Sequence, residues 1–175
     1  DKILSTSPLL YRKGKSVVLC LNQEMHNHGP TTILIVDDNP VVLLALSEVM
    51  KAAGFETFSA QNGEEALLQA RLHSPNLILL DVMLPDINGT ELCRRIKTDP
   101  DLKSLFVILL SSSETTSENQ TSGLDAGADG YIARPIENRE LVARVQSLMR
   151  IQRAEKALQL ANDQLEERVQ ERTLE

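Results

Sequence analysis

The sequence predicts an α/β protein: a doubly wound, five-stranded parallel sheet with helices on both faces and an extended C-terminal helix. Three observations lead there. Short apolar runs alternate strictly with segments of helical period across residues 31–150. Two of those runs, centred on Ile33–Val36 and Leu77–Leu80, are continuously apolar, as strands buried on both faces require. From Glu137 to Glu175 there is neither Pro nor Gly, so nothing interrupts a helix.

Thr32–Val36 reads as the first strand and stops abruptly at Asp37-Asp38-Asn39-Pro40. Val42, Leu43, Leu46, Val49 and Met50 then recur at helical spacing, and Gly54 stands where a helix-closing glycine belongs. Phe55–Ala60 is a second, less apolar strand; Asn62-Gly63 turns the chain into a helix over Glu64–His73. Asn76–Leu80 is the third strand and runs into Asp81. A loop through Pro85 and Gly89 leads to a helix over Thr90–Lys97. Leu105–Leu110 is the fourth strand, ending in Ser111-Ser112-Ser113. A polar helix is expected over Ser117–Ala126, closed by Gly127, and a short fifth strand over Gly130–Ala133, followed by Arg134-Pro135. The last helix opens near Glu137.

Residues 1–30 have no clear period and read as an N-terminal extension, its order left open between a short strand at 17–21, a helix and disorder. The globular domain is placed at 31–150. Over 151–175, Ile151, Leu158 and Leu165 repeat at seven, with Ala154 and Ala161 between them, which predicts a coiled-coil seam and a homodimer through this helix. The seam is short, because Arg168 falls where the next apolar residue belongs and Val169 offers only a shifted continuation. At ~1.5 Å per residue the helix from Glu137 would run roughly 58 Å, past the edge of such a domain. The pattern stops without a cap, and a further signalling domain is expected to follow.

Composition narrows the function. Hydrophobic residues make up 42% and charged residues 25%, as in ordinary globular proteins. Lys and Arg number 18 against 25 Asp and Glu, a net charge of −7, and Trp is absent. Direct nucleic-acid binding is therefore not expected, since it begins with clustered cations and stacking aromatics. The tail at 151–175 carries four cations against six acids, which does not suit a groove-entering basic region. Cys20 and Cys93 are far apart and read as free thiols in a reducing, cytoplasmic compartment. With His26, His28 and His73 they make no zinc site, and no apolar stretch reaches the length of a membrane span.

The strand ends carry the chemistry. Asp37-Asp38, Asp81, Ser111 and Arg134 follow four different strands and converge on one rim of a parallel sheet, where such sheets bind ligands. Clustered carboxylates repel, and coexist at neutral pH only with a cation or with bound protons. Oxygen-only ligands favour a hard divalent ion, Mg²⁺ foremost. A carboxylate on a rigid strand end beside such an ion is a plausible nucleophile for an acyl phosphate, with a cation and a hydroxyl holding the phosphoryl oxygens. Each residue also has a plainer reading: Asp38 as a helix cap, Ser111 as a loop cap, Arg134 as a surface ion pair.

Ile33-Leu34-Ile35-Val36-Asp37-Asp38-Asn39-Pro40, Leu79-Leu80-Asp81-Val82-Met83-Leu84-Pro85, the Ser111 strand end and Gly130-Tyr131-Ile132-Ala133-Arg134-Pro135 together resemble the receiver domain of two-component response regulators. The resemblance covers about residues 31–150 and implies a flavodoxin-like sheet in the order 2-1-3-4-5. It implies that Asp81 accepts a phosphoryl group from a histidine kinase or phosphotransfer protein, and that Asp37 and Asp38 hold Mg²⁺ with Asp81 and the Met83 backbone carbonyl. Ser111 matches the hydroxyl that reaches for the phosphoryl group, and Tyr131 the aromatic switch that turns inward behind it.

One position departs from the family. Arg134 stands where the resemblance calls for lysine, keeping the charge but replacing a compact ammonium with a planar fork. That departure supports a competing reading, a pseudo-receiver working as a phosphorylation-independent interaction and dimerisation module. A stand-alone phosphatase or phosphomutase fits less well, because Met83 occupies the place of its second acid. In the family it resembles, the residues two after the phosphoacceptor and two after the hydroxyl residue influence attack by water. Here they are Met83 and Ser113, and the apolar Met83 cannot orient a hydrolytic water by a hydrogen bond, so a long-lived phosphoryl group is expected.

Overall fold

The computed structural model describes residues 31–112 and 125–173. The predicted helix at 117–126 lies outside the described residues except for its end, and so does the extension at 1–30. The elements are β1 (Thr32–Val36), α1 (Pro40–Ala52), β2 (Glu56–Ala60), α2 (Gly63–His73), β3 (Leu77–Asp81), α3 (Gly89–Thr98), β4 (Phe106–Ser112), β5 (Gly130–Arg134) and α4 (Asn138–Thr173). The five strands form one sheet in the order β2-β1-β3-β4-β5, every neighbouring pair parallel. This is the predicted order. Its central strands are the continuously apolar ones, because only they are covered on both faces.

Alternation along each strand divides the core in two. Leu34, Val36, Ile78, Leu80, Val107 and Leu109 pack against Ala66 and Ala70 of α2 and Leu92 and Ile96 of α3. Ile33, Ile35, Leu77, Leu79, Ile108, Leu110 and Ile132 pack against Leu43 and Met50 of α1 and Leu141, Val145 and Met149 of α4. The parity of a residue beyond a strand's end therefore tells which layer it continues.

Three asparagines start three helices. Asn39, Asn62 and Asn88 each accept a backbone N–H with the side-chain oxygen, from Val41, Glu65 and Thr90 at 2.8–2.9 Å. Pro40 occupies the first turn of α1, where its missing N–H costs nothing. Gly54 follows the end of α1 with φ +90°, a conformation open to glycine at little cost.

Several boundaries shift by a residue or two from the sequence reading, and two of the shifts have a visible cause. Asn76 does not extend β3; its side-chain oxygen accepts from Thr32 N at 2.9 Å and ties β1 to the segment before β3. β4 runs on to Ser112, because β5 supplies a partner: Ser111 lies opposite Ala133 and Ser112 opposite Arg134. Ser111 is thus within a strand, not in a loop after it.

α4 is 36 residues long, about 54 Å at the usual rise. Its first half is buried through Leu141, Val145, Met149 and Gln152. Its tie to the sheet is the pair Gln152-Arg153: Gln152 Nε2 donates to the Asn76 carbonyl at 2.8 Å, and Arg153 donates to the Thr31 hydroxyl at 2.9 Å. Beyond it, Leu158, Leu165 and Val169 are exposed.

Candidate functional site

Asp37 immediately follows β1, Asp81 ends β3 and Arg134 ends β5. All three continue the parity of Ile35, Leu79 and Ile132, so their side chains meet in the layer shared by α1 and α4. Both aspartates are buried, 2% and 8% exposed. Each has one oxygen engaged by the backbone two residues on. Asp37 Oδ1 accepts from Asn39 N at 3.0 Å, and Asp81 Oδ2 accepts from Met83 N at 2.8 Å. The other oxygens face Arg134, whose Nη1 donates to Asp37 Oδ2 at 2.8 Å and to Asp81 Oδ1 at 3.2 Å. Arg134 is therefore no surface ion pair, but a bridge between two buried carboxylates. Its Nη2 is buried without a hydrogen-bond partner. The Arg134–Pro135 peptide that follows is cis.

Burial pushes the Asp81 carboxyl above the ordinary aspartate range. The Met83 N–H and the Arg134 charge oppose that push, while the Asp37 and Asp38 carboxylates add to it. Asp38 is exposed and lines the same cleft of about 740 Å³, together with Asp37, Asp81, Met83 and Arg134. It does not cap α1, since Asn39 does that, so its carboxylate faces the cleft uncommitted to the helix start.

Ser111 and Tyr131 continue the opposite parity, that of Leu109. Ser111 is 1% exposed, and the Tyr131 hydroxyl donates to its Oγ at 2.7 Å. The tyrosine ring packs against the core on that side, so the aromatic side chain is turned inward. The predicted site is thus brought to one rim in two groups: Asp37, Asp38, Asp81, Met83 and Arg134 around a cleft, and Ser111 with Tyr131 as a bonded pair.

The donors in the cleft fit a hard divalent ion in kind: three carboxylates, and no His or Cys among the lining residues. Burial is the main cause of the raised Asp81 carboxyl, and the Asp37 and Asp38 carboxylates add a smaller excess of negative charge that a cation would relieve. The present arrangement answers that excess with Arg134 instead. Among the described residues no three acidic, His or Cys side chains are gathered closely enough to hold an ion.

Two residues that position the site have no such role in the sequence reading. Gly89 opens α3 against the backbone of Asp81 and Val82, and its N–H donates to the Val82 carbonyl at 2.8 Å. Asp86 accepts from Gly63 N at 2.9 Å and Glu64 N at 3.1 Å, which fastens the loop after Asp81 to the start of α2 and lowers its own carboxyl below the usual range. The stretch Asp86-Ile87-Asn88-Gly89 is a visible turn signal, but turn chemistry does not tell what it packs against. Cys93 is buried, and burial pushes its thiol up to about 11, so it is an inert core residue.

An acidic rim with two buried aspartates, Asp81 at the end of the central strand, on a parallel sheet of order 2-1-3-4-5 has the form of a receiver-type signalling domain. Residues 33–146 match the family described as the response regulator receiver domain, and the chain belongs to that family. It is 35% identical to the alkaline phosphatase synthesis transcriptional regulatory protein PhoP of Bacillus subtilis, over 77% of this chain and 55% of that protein. It is 40% identical to the phosphate regulon transcriptional regulatory protein PhoB of Pseudomonas aeruginosa, over 68% of this chain and 52% of that one. The chain spans about half the length of these curated relatives. Among solved structures it is similar to a response regulator from Chloroflexus aurantiacus, with TM-score 0.64, 39% identity, and coverage of 68% of this chain and 97% of that chain. It is also similar to the receiver domain of a signal transduction histidine kinase from Syntrophus aciditrophicus, with TM-score 0.63, 35% identity, and coverage of 67% and 89%. No helix among the described residues is long and apolar enough to cross a membrane.

Proposed function

We propose that this receiver accepts a phosphoryl group on Asp81 from a histidine kinase or phosphotransfer protein and passes its state on through α4. The observation that carries this reading is the Asp81 carboxylate itself. It is buried at a rigid strand end, one oxygen is fixed by Met83 N, and the other faces only a charge-neutralising side chain. In the transfer, a carboxylate oxygen forms a bond to phosphorus, the P–N bond of the donor phosphohistidine breaks, and the leaving imidazole takes a proton. Asp37, Asp38, Asp81 and the Met83 carbonyl would hold Mg²⁺, which would supply charge neutralisation for the phosphoryl oxygens. Arg134 Nη2, buried and unpartnered, is the protein donor available to one of those oxygens.

Ser111 and Tyr131 form the switch pair in this reading, and the polar link between them is what a phosphoryl group would compete for. The exposed, apolar Met83 side chain offers no hydrogen bond to a hydrolytic water, which supports a long-lived phosphoryl group. At the far end of α4, the exposed Ile151, Leu158 and Leu165 support a homodimeric coiled coil that carries the signal onward, in a reducing, cytoplasmic setting. The domain serves as a phosphoacceptor and not as an enzyme with its own turnover.

The test is mass spectrometry after incubation with acetyl phosphate and Mg²⁺. The natural chain gains one phosphoryl group and Asp81→Asn gains none. A second reading, a phosphorylation-independent interaction module, is favoured by the position of Arg134 between the carboxylates. Beryllofluoride with Mg²⁺ separates the two: chemical-shift changes at Ser111 and Tyr131 support the first, and an unchanged spectrum supports the second.

A further inference from the structure

We propose that Arg134 is a built-in cation that competes with the divalent ion for Asp37 and Asp81, so that metal enters only as the guanidinium withdraws. This deepens the reading above and rests on the cleft being a metal site.

A single donor atom, Nη1, serves both buried carboxylates, at 2.8 and 3.2 Å. With the two backbone N–H groups, it leaves every oxygen of Asp37 and Asp81 with a partner. The guanidinium brings a full positive charge to this pair, spread over a planar fork. Two like charges sharing buried carboxylates repel strongly where solvent screening is weak. Arg134 and a divalent ion are therefore alternative counter-ions for the same pair. Asp38, exposed and free of this bridge, is the ligand an incoming ion meets first.

The arginine is also imperfectly held. Its Nη2 is buried without a partner, an unmade hydrogen bond that favours release of the bridge. Competition of this kind is reciprocal: whatever the bridge subtracts from metal affinity, bound metal subtracts from the bridge. The device thus ties the position of the strand-β5 cation to metal occupancy before any phosphoryl group arrives.

The experiment is calorimetric titration of Mg²⁺ into the full chain and into Arg134→Gln in the same buffer and at the same pH. The variant is expected to bind about ten-fold more tightly, a coupling of ordinary size between exclusive ligands. Guanidinium ¹⁵N spectra of the natural chain supply a second readout, independent of whether the variant folds. The Arg134 signals should pass from a restrained to a freely rotating state as Mg²⁺ saturates. Equal affinities, or Arg134 signals unchanged at saturation, overturn the proposal. If metal displaces Arg134 but no phosphoryl group ever reaches Asp81, the phosphoacceptor reading fails and the competition stands. If Asp81 is phosphorylated while both proteins bind Mg²⁺ equally, the competition fails and the phosphoacceptor reading stands.

Discussion

Replacing Gly89 by alanine tests how tightly the geometry of Asp81 depends on the loop behind it. A Cβ at Gly89 would lie 2.2 Å from the Asp81 carbonyl oxygen, 2.8 Å from Val82 Cα and 3.0 Å from the Asp81 carbonyl carbon. All three are backbone atoms, so no side-chain rotation relieves the overlap. Ordinary contact begins near 3.4 Å, and the start of α3 or the end of β3 must therefore move by about 1 Å. Gly89 has no positive φ, so the substitution tests space and not backbone conformation. Overpacking of this kind costs about 1–3 kcal/mol, to be read from urea unfolding. The functional loss is larger in proportion. Asp81 is held by Met83 N at 2.8 Å and Arg134 at 3.2 Å, and misplacing a reacting group by about 1 Å costs on the order of a hundred-fold in rate. The assay is the initial rate of phosphoryl gain from acetyl phosphate with Mg²⁺, followed by mass. A Gly89→Ala protein with the natural urea midpoint and the natural rate would refute the packing argument.

Other substitutions probe other links. Burial raises the Asp81 carboxyl, so the folded state holds that proton more tightly than the unfolded chain. The corresponding stabilisation is complete at pH below the unfolded aspartate value and is lost as pH rises through the raised folded value. Asp81→Asn should therefore be more stable than the natural chain at neutral pH, with the gap closing in acid; urea midpoints across that range decide it, and a less stable variant at neutral pH contradicts it. Gln152→Ala removes a buried donor to the Asn76 carbonyl and should lower stability by about 1–3 kcal/mol in thermal unfolding, whereas an unchanged midpoint would show that the anchor is idle. Leu158→Lys combined with Leu165→Lys places charges in the exposed seam; sedimentation equilibrium should report a monomer with the receiver still folded, and an unchanged mass distribution rules out the coiled-coil route.

Much of the fold is legible in the chain because the signals are local. The apolar runs at Ile33–Val36 and Leu77–Leu80 are buried central strands, and Gly54 closes α1 as its position suggests. Two of the shifted boundaries are decided by a distant partner. Asn76 is drawn out of β3 by Thr32, and β4 is lengthened by pairing with β5. Capping was ambiguous for a similar reason: Asp38 and Asn39 are both good caps, and only the turn into α1 selects Asn39.

The sequence by itself determined which residues stand at the ends of the strands and, through their resemblance to a family, the order of the sheet. Those follow from period, punctuation and short motifs, all contained within a few neighbouring residues. Tertiary structure alone decided what the strand-end residues do to one another. Arg134 reaches Asp37 across 97 positions and Asp81 across 53, and Ser111 pairs with Tyr131 on the other side of the sheet. Such contacts depend on register between separate strands and on which face each side chain takes, and neither is written in any one segment of the chain.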